Sequence, residues 1–230
     1  MSTIADNIFN VGSRIQAATQ AAGRAENSVR LLAVSKTKPA QALRDAYAAG
    51  LRDFGENYLQ EALGKQQELT DLPLIWHFIG PIQSNKTRSI AEHFAWVHSV
   101  DRLKIAQRLS EQRPADLPPL NICIQVNVSG EASKSGCAPA DLPALAQAIS
   151  QLPRLKLRGL MAIPEPTEDR AAQDAAFAAV QRLQASLDLP LDTLSMGMSH
   201  DLESAIAQGA TWVRIGTALF GARDYGHISQ

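Results

Sequence analysis

Cysteine is scarce in this chain of 230 residues: Cys123 and Cys137 are the only two. They make neither a metal-spaced pair nor a framework of bridges, which excludes a disulfide-stapled scaffold and a cysteine-built metal site. Cys123 lies in an apolar run and reads as a small buried hydrophobe. An excess of either charge is also missing. Lys and Arg number 22 against 23 Asp and Glu, for a net charge of -1 and a pI near 6.5. Such a balance excludes the electrostatic footprint of a nucleic-acid or anionic-membrane partner. The basic residues are scattered, with Lys36/Lys38 and Lys86/Arg88 the densest groups. No run approaches the roughly 18–20 apolar residues that span a bilayer. The first 23 residues carry Asp6 early and no continuous apolar stretch, so no signal peptide is expected and the reduced cytoplasm is the expected location. Low-complexity tracts and Pro/Ser-rich linkers are absent. Prolines gather only at Pro114, Pro118 and Pro119 and at Pro164 and Pro166, each set within one loop.

What is there is an ordinary globular composition, 45% apolar and 20% charged, in a chain long enough to bury a full core. Ile4, Ile8, Val11 and Ile15 recur at helical spacing and predict an amphipathic first helix over about residues 4–22. Eight short apolar runs follow, at 31–35, 52–56, 75–80, 96–100, 121–128, 157–163, 193–198 and 212–215. Helix-patterned stretches lie between them, at 39–49, 59–69, 86–94, 102–111, 140–151, 167–187 and 200–208. Continuous apolar strands alternating with helices indicate parallel βαβ units buried on both faces. The open doubly wound sheet and the closed barrel compete for this pattern. Eight strands, the lack of a GxGxxG after the first, and a length near the usual ~250 residues favour the barrel. The expectation is an α/β protein with a single (β/α)8 TIM-type barrel and an extra N-terminal helix. One domain covers 1–230, with the barrel at about 31–223.

In such a barrel the chemistry sits at the C-terminal ends of the strands. The first strand runs into Lys36, where a partly desolvated amine at the barrel mouth becomes nucleophilic; the plainer alternative is a solvated loop lysine such as Lys38. The seventh strand leads to Ser199 and the eighth to Gly216 and Thr217, at the recurrent phosphate site of the fold. Their hydroxyls and backbone N–H groups suit an anion. Ser199 as a helix N-cap, Gly216 as a turn glycine and Thr217 as a cap are the bland alternatives. Asn57 follows the second strand, while His77 lies within the third and reads more simply as a hydrogen-bonded core residue. Gln83 and Asn85 follow the third strand, Met161 packs in the sixth, Glu56 pairs with a lysine or lines the rim, and Lys134 is a solvated loop residue. A lysine facing a phosphate cup describes a sugar-phosphate aldolase as well as a pyridoxal 5′-phosphate (PLP) protein, and the residues alone leave both open.

Five ordered motifs carry a resemblance. They are Val34-Ser35-Lys36-Thr37-Lys38; Phe54-Gly55-Glu56-Asn57-Tyr58; His77-Phe78-Ile79-Gly80 with Gln83-Ser84-Asn85-Lys86; Ser195-Met196-Gly197-Met198-Ser199; and Arg214-Ile215-Gly216-Thr217 with Phe220-Gly221. Together, over about residues 31–223, they resemble the PLP homeostasis protein family, also called the YggS or proline-synthase co-transcribed family. Its barrel is similar to the N-terminal domain of alanine racemase. The resemblance implies that Lys36 holds PLP as a Schiff base, that Arg214 meets the pyridine nitrogen, and that Ser199, Gly216 and Thr217 hold the phosphate. It also implies that Asn57, His77 and Met161 line the pocket. His200 stands where many members have aspartate or alanine. No metal is implied.

The resemblance further implies a protein of intracellular PLP homeostasis, buffering or delivering the vitamin B6 cofactor without robust turnover, with apo-PLP enzymes as recipients. The alternative is a PLP-dependent amino-acid racemase or lyase. Racemisation needs a base on each face of the α-carbon. In alanine racemase the second is a tyrosine that comes with a further domain, and none is expected after the stretch Arg223-Asp224-Tyr225-Gly226-His227. Tyr58 and His77 are the nearby substitutes. An arginine at the ring nitrogen also disfavours transaminase chemistry, since it cannot protonate the ring. No exposed apolar heptad demands a partner, and a monomer or weak dimer is expected.

Overall fold

The computed structural model describes residues 1–131 and 135–222. Lys134 and the segment Arg223-Asp224-Tyr225-Gly226-His227 lie outside the described residues.

The chain opens with helix α1 (Ile4–Ala21), fixed at its start by a capping box. Asp6 N–H donates to Thr3 Oγ1 at 3.1 Å and Thr3 N–H donates to Asp6 Oδ2 at 2.9 Å. Eight parallel strands then close into a barrel in chain order. They are β1 (Arg30–Val34), β2 (Asp53–Glu56), β3 (Ile75–Phe78), β4 (Trp96–Val100), β5 (Leu120–Gln125), β6 (Leu155–Met161), β7 (Thr193–Ser195) and β8 (Trp212–Ile215). The intervening helices are α2 (Ala40–Ala48), α3 (Leu59–Glu68), α4 (Thr87–His93), α5 (Leu103–Gln112), α6 (Leu142–Ser150), α7 (Arg170–Ala185) and α8 (Leu202–Ala207). A last short helix, α9 (Thr217–Phe220), follows β8 without a break and was not legible as a period in so few residues.

The expected strand and helix order is the one observed, and the strands are shorter by one to three residues at several ends. Single ladder bonds continue past these ends, Ile79 N–H to the Glu56 carbonyl at 2.9 Å and Met196 N–H to the Trp212 carbonyl at 3.1 Å, before the chain turns to build the barrel mouth. Closure pairs β1 with β8, Leu32 opposite Arg214 and Ala33 opposite Ile215. Most of the apolar core lies between barrel and helices, including Phe54, Leu43, Ile90, Leu109, Ile122, Phe177 and Val213, all essentially inaccessible. A second, smaller cluster fills the barrel itself: Leu32, Ile79, Trp96, Cys123, Met161 and Trp212.

Helix α1 packs on α8 and α9, burying Val11, Ile15 and Thr19. Polar ties reinforce the seam. Arg14 forks onto Glu203 at 2.9 and 3.0 Å and donates to the Ser199 carbonyl at 2.8 Å, while Asn7 donates to the Leu219 carbonyl at 2.8 Å. The extra helix therefore braces the loops that follow β7 and β8. Among the described residues no helix is long and apolar enough to cross a membrane, and no group of His, Cys, Asp and Glu side chains could hold a metal ion.

Candidate functional site

Lys36 leaves the end of β1 on a turn that is clamped from both sides. Ser35 donates its N–H to the Gly55 carbonyl at 3.0 Å and its hydroxyl to Glu56 Oε1 at 2.8 Å. Lys65, buried beneath the turn, donates to the Ser35 carbonyl, Glu56 Oε1 and Glu61 Oε1, each at 2.7 Å. On the far side Thr37 adopts a left-handed backbone, φ 66°, and gives its N–H to Glu61 Oε1 at 2.6 Å. A β-branched residue there is strained by about 1–3 kcal/mol, which persists only where the surroundings over-determine the conformation. The ion pairs of Lys65 supply that over-determination. Glu56 is fully buried, and burial raises its carboxyl above the usual range against the opposing pull of Lys65.

From β8, the neighbour of β1, Arg214 rises inside the barrel, 4% exposed. It donates to Ser195 Oγ at 2.8 Å and to the Ala162 carbonyl at 3.0 Å. Burial pulls its guanidinium down to about 10, with Asp201 the first of the charges resisting. The group is therefore still cationic at neutral pH.

The loop after β7 turns at Gly197, φ 100°, where an added Cβ would lie 2.6 Å from Ala205 Cβ. Asp201 then draws the Met198 N–H onto its Oδ1 at 2.7 Å, which shapes the loop that carries Ser199. Helix α8 begins after Asp201, so Ser199 is not its N-cap, contrary to the simpler expectation. Gly216 packs on β1 so closely that a Cβ would meet the Val34 carbonyl oxygen at 3.3 Å. Asn57 is set by the approach of β3: a Cβ on Gly80 would stand 2.5 Å from the Asn57 carbonyl oxygen.

These elements enclose a cavity of about 320 Å³ at the C-terminal mouth of the barrel. Its wall comprises Val34, Lys36, Asn57, Ile79, Ile163, Met198, Ser199, His200, Arg214, Gly216 and Thr217. It combines a primary amine, a buried fixed cation, two hydroxyls with a backbone cup, and an apolar rim. A small anionic, aromatic ligand fits that inventory. Among the described residues Asn57 Oδ1 has no hydrogen-bond partner, though it is buried.

Comparison with known proteins decides the family. The family described as "Alanine racemase, N-terminal domain" matches residues 11–224. The pyridoxal phosphate homeostasis protein of Pseudomonas aeruginosa is 79% identical over 226 residues, covering 98% of both chains. That of Escherichia coli K12 is 55% identical over 231 residues, covering 98% of this chain and 99% of its own. The solved structure of PipY from Synechococcus elongatus, with PLP bound, superposes with a TM-score of 0.84 at 44% identity, covering 95% of this chain and all of PipY. The chain belongs to the pyridoxal phosphate homeostasis protein family.

Of the residues singled out through the family resemblance, Lys36, Asn57, Ser199, Arg214, Gly216 and Thr217 share the cavity wall. Two do not. His77 and Met161 are fully buried in the barrel interior, below the cavity. Their strand positions turn them inward among Trp96, Cys123 and Trp212. His77 is the hydrogen-bonded core residue of the plainer alternative, bonded at both ring nitrogens. Glu56 pairs with Lys65 rather than lining the rim. Gln83 precedes and Asn85 lies in the short 3₁₀ turn before α4, and neither is on the cavity wall. Sequence reasoning missed Lys65, Asp53, His98 and Ser195. Of these, His98 shares a signal with His77: an imidazole inside a short strand with aromatic and aliphatic neighbours.

Proposed function

We propose that this member of the family binds PLP in the cavity between Lys36 and Arg214, and holds or delivers the cofactor rather than turning over a substrate. The reading takes residues 1–230 as one PLP-binding barrel domain of the cytoplasm. One observation carries it: an amine, a buried arginine and the Ser199–Gly216–Thr217 cup open on a single cavity of about 320 Å³. The orphaned Asn57 Oδ1 fits a ligand that brings a hydrogen-bond donor to that wall. When bound, PLP supplies an electrophilic carbonyl and an electron-withdrawing ring.

The chain's own groups then divide the work. Lys36 offers the nucleophilic amine that fixes the cofactor. Ser199, with the backbone of Gly216 and Thr217, would hold the phosphate at the place where the fold recurrently binds one. Arg214 can only donate, so it would suit a ring nitrogen that carries no proton and would leave the ring a weaker electron sink. A second proton carrier on the opposite face of a bound amino acid is harder to find. His77 is sealed in the core and Tyr58 is half exposed outside the cavity wall. A racemase or lyase has one observation in its favour, since His200 also stands on the wall.

The test mixes the PLP-loaded protein with an apo-PLP enzyme and follows reactivation against free PLP at equal concentration. In parallel, L- and D-amino acids are screened for deuterium exchange at the α-carbon. The carrier reading expects reactivation and no exchange at enzyme-like rates, for which about 1–1000 per second is typical. Rapid exchange that is lost in Lys36→Ala would put the racemase reading first.

A further inference from the structure

A continuous polar chain threads the apolar interior of the barrel. It starts at the N-terminal face with Asp53, the first residue of β2, and ends at Arg214 under the cavity. Asp53 Oδ1 meets His77 Nε2 at 2.8 Å, His77 Nδ1 meets His98 Nε2 at 2.9 Å, and His98 Nδ1 meets Ser195 Oγ at 2.8 Å. Arg214 closes it onto Ser195 Oγ at 2.8 Å. Both histidines and Ser195 are wholly inaccessible. The indoles of Trp96 and Trp212 sheathe the links: Trp96 stacks on His77 at 5.4 Å between centroids, and Trp212 meets His77 edge-on at 5.0 Å. Facing the chain are also Arg30, 3.2 Å from Asp53 Oδ2, Cys123 in the interior, and Asp201 near Arg214.

The two ends fix the direction of every bond. A guanidinium only donates and a carboxylate only accepts. Ser195 Oγ accepts from Arg214, so its own hydrogen is free to go to His98 Nδ1. His98 then donates from Nε2 to His77 Nδ1, and His77 donates from Nε2 to Asp53. With both rings neutral, the reverse order would set a bare His77 Nε2 against a carboxylate oxygen at 2.8 Å, which is repulsive. The remaining arrangement needs a protonated His77, and burial opposes that charge. All four bonds therefore donate toward Asp53, with lone pairs toward the arginine and hydrogens toward the carboxylate, the alignment in which linked dipoles reinforce one another.

Resting on the cofactor reading above for the identity of the ligand, we propose that Ser195, His98, His77 and Asp53 are positioning residues, a one-directional hydrogen-bond relay. It couples Arg214 to a carboxylate on the opposite face of the barrel and so aims its remaining N–H donors at an acceptor nitrogen in the cavity.

The first arm of the test uses the ligand-free protein. Long-range ¹⁵N correlation of the imidazoles should show His77 and His98 both neutral and both carrying the proton on Nε2. An Nδ1–H ring at either position, or a doubly protonated His77 at neutral pH, overturns the relay.

The second arm measures affinity for PLP and for its carbocyclic analogue, in which C–H replaces the ring nitrogen. Ser195→Ala should weaken PLP binding about tenfold, the scale of one charge-assisted hydrogen bond, and leave the analogue within about twofold. Asp53→Asn should act in the same direction and less strongly. The double variant should be no weaker than Ser195→Ala alone, because the cut link no longer transmits the charge. Distant independent sites would add instead. Additive losses, or equal losses for PLP and the analogue, overturn the relay. Failure of the wild-type protein to bind PLP would overturn the cofactor reading, and the tautomers would then decide the relay alone.

Discussion

Replacing Lys65 by methionine tests how the turn that carries Lys36 is held. Lys65 is 5% exposed and its ammonium satisfies the Ser35 carbonyl and two carboxylates, one of them on Glu56, which has no exposure at all. Methionine fills most of the volume but removes the charge. It leaves the Glu56 carboxyl in the core with Ser35 Oγ as its remaining donor on Oε1, and Oε2 already has none. Removing one member of a buried pair costs about 3–5 kcal/mol, against about 0–1 for an exposed pair. At roughly 2–4 °C per kcal/mol for a chain of this size, the melting midpoint should fall by about 6–20 °C. The deficit should shrink as pH falls, because protonation neutralises the orphaned carboxyl, and Lys65→Met/Glu56→Gln should recover part of it. Urea unfolding of the single and double variants between pH 5.5 and 8 is the assay. A loss below about 1 kcal/mol, or no recovery in the double variant, would refute the argument that a buried ion pair clamps the turn.

If Ser199 holds the phosphate as proposed, Ser199→Ala should weaken PLP binding roughly ten- to a hundredfold and pyridoxal binding far less; equilibrium titration of both ligands checks this. His77 and His98 are held below the usual 6.5 by burial, so they stay neutral in the folded chain while the unfolded chain protonates as pH drops through 6.5. Stability should therefore fall between pH 6.5 and 5.5 by at most about 2 kcal/mol, about 1 for each histidine, with proton uptake by the raised carboxyl of Glu56 offsetting part of it; urea midpoints across that range give the slope. Cys123 and Cys137, pushed by burial to about 12 and about 11, should resist a thiolate-selective reagent at pH 8 in the native protein and react at once in denaturant.

The barrel was legible in the sequence because its signal is local. Each buried parallel strand is a short apolar run, each covering helix repeats near every third or fourth residue, and eight such units leave few ways to close. The strand ends that carry Lys36, Ser199, Gly216 and Thr217 followed from the same pattern, since the fold places its chemistry at one face. Ordered motifs added Asn57 and Arg214 through family resemblance.

Other features depended on contacts that no single stretch of chain encodes. That Glu56 pairs with Lys65 requires α3 to lie under the β1–β2 turn. That His77 sits below the cavity and not in its wall depends on strand stagger, which moves a side chain along the barrel axis without changing its alternation. The alignment of Asp53, His77, His98 and Ser195 joins four strands, and only closure of the sheet brings β7 and β8 to face β2, β3 and β4. Hydrophobic periodicity reports which face of an element is buried. Which buried polar atoms meet is a matter of register and shear, and those are fixed only when the barrel is complete.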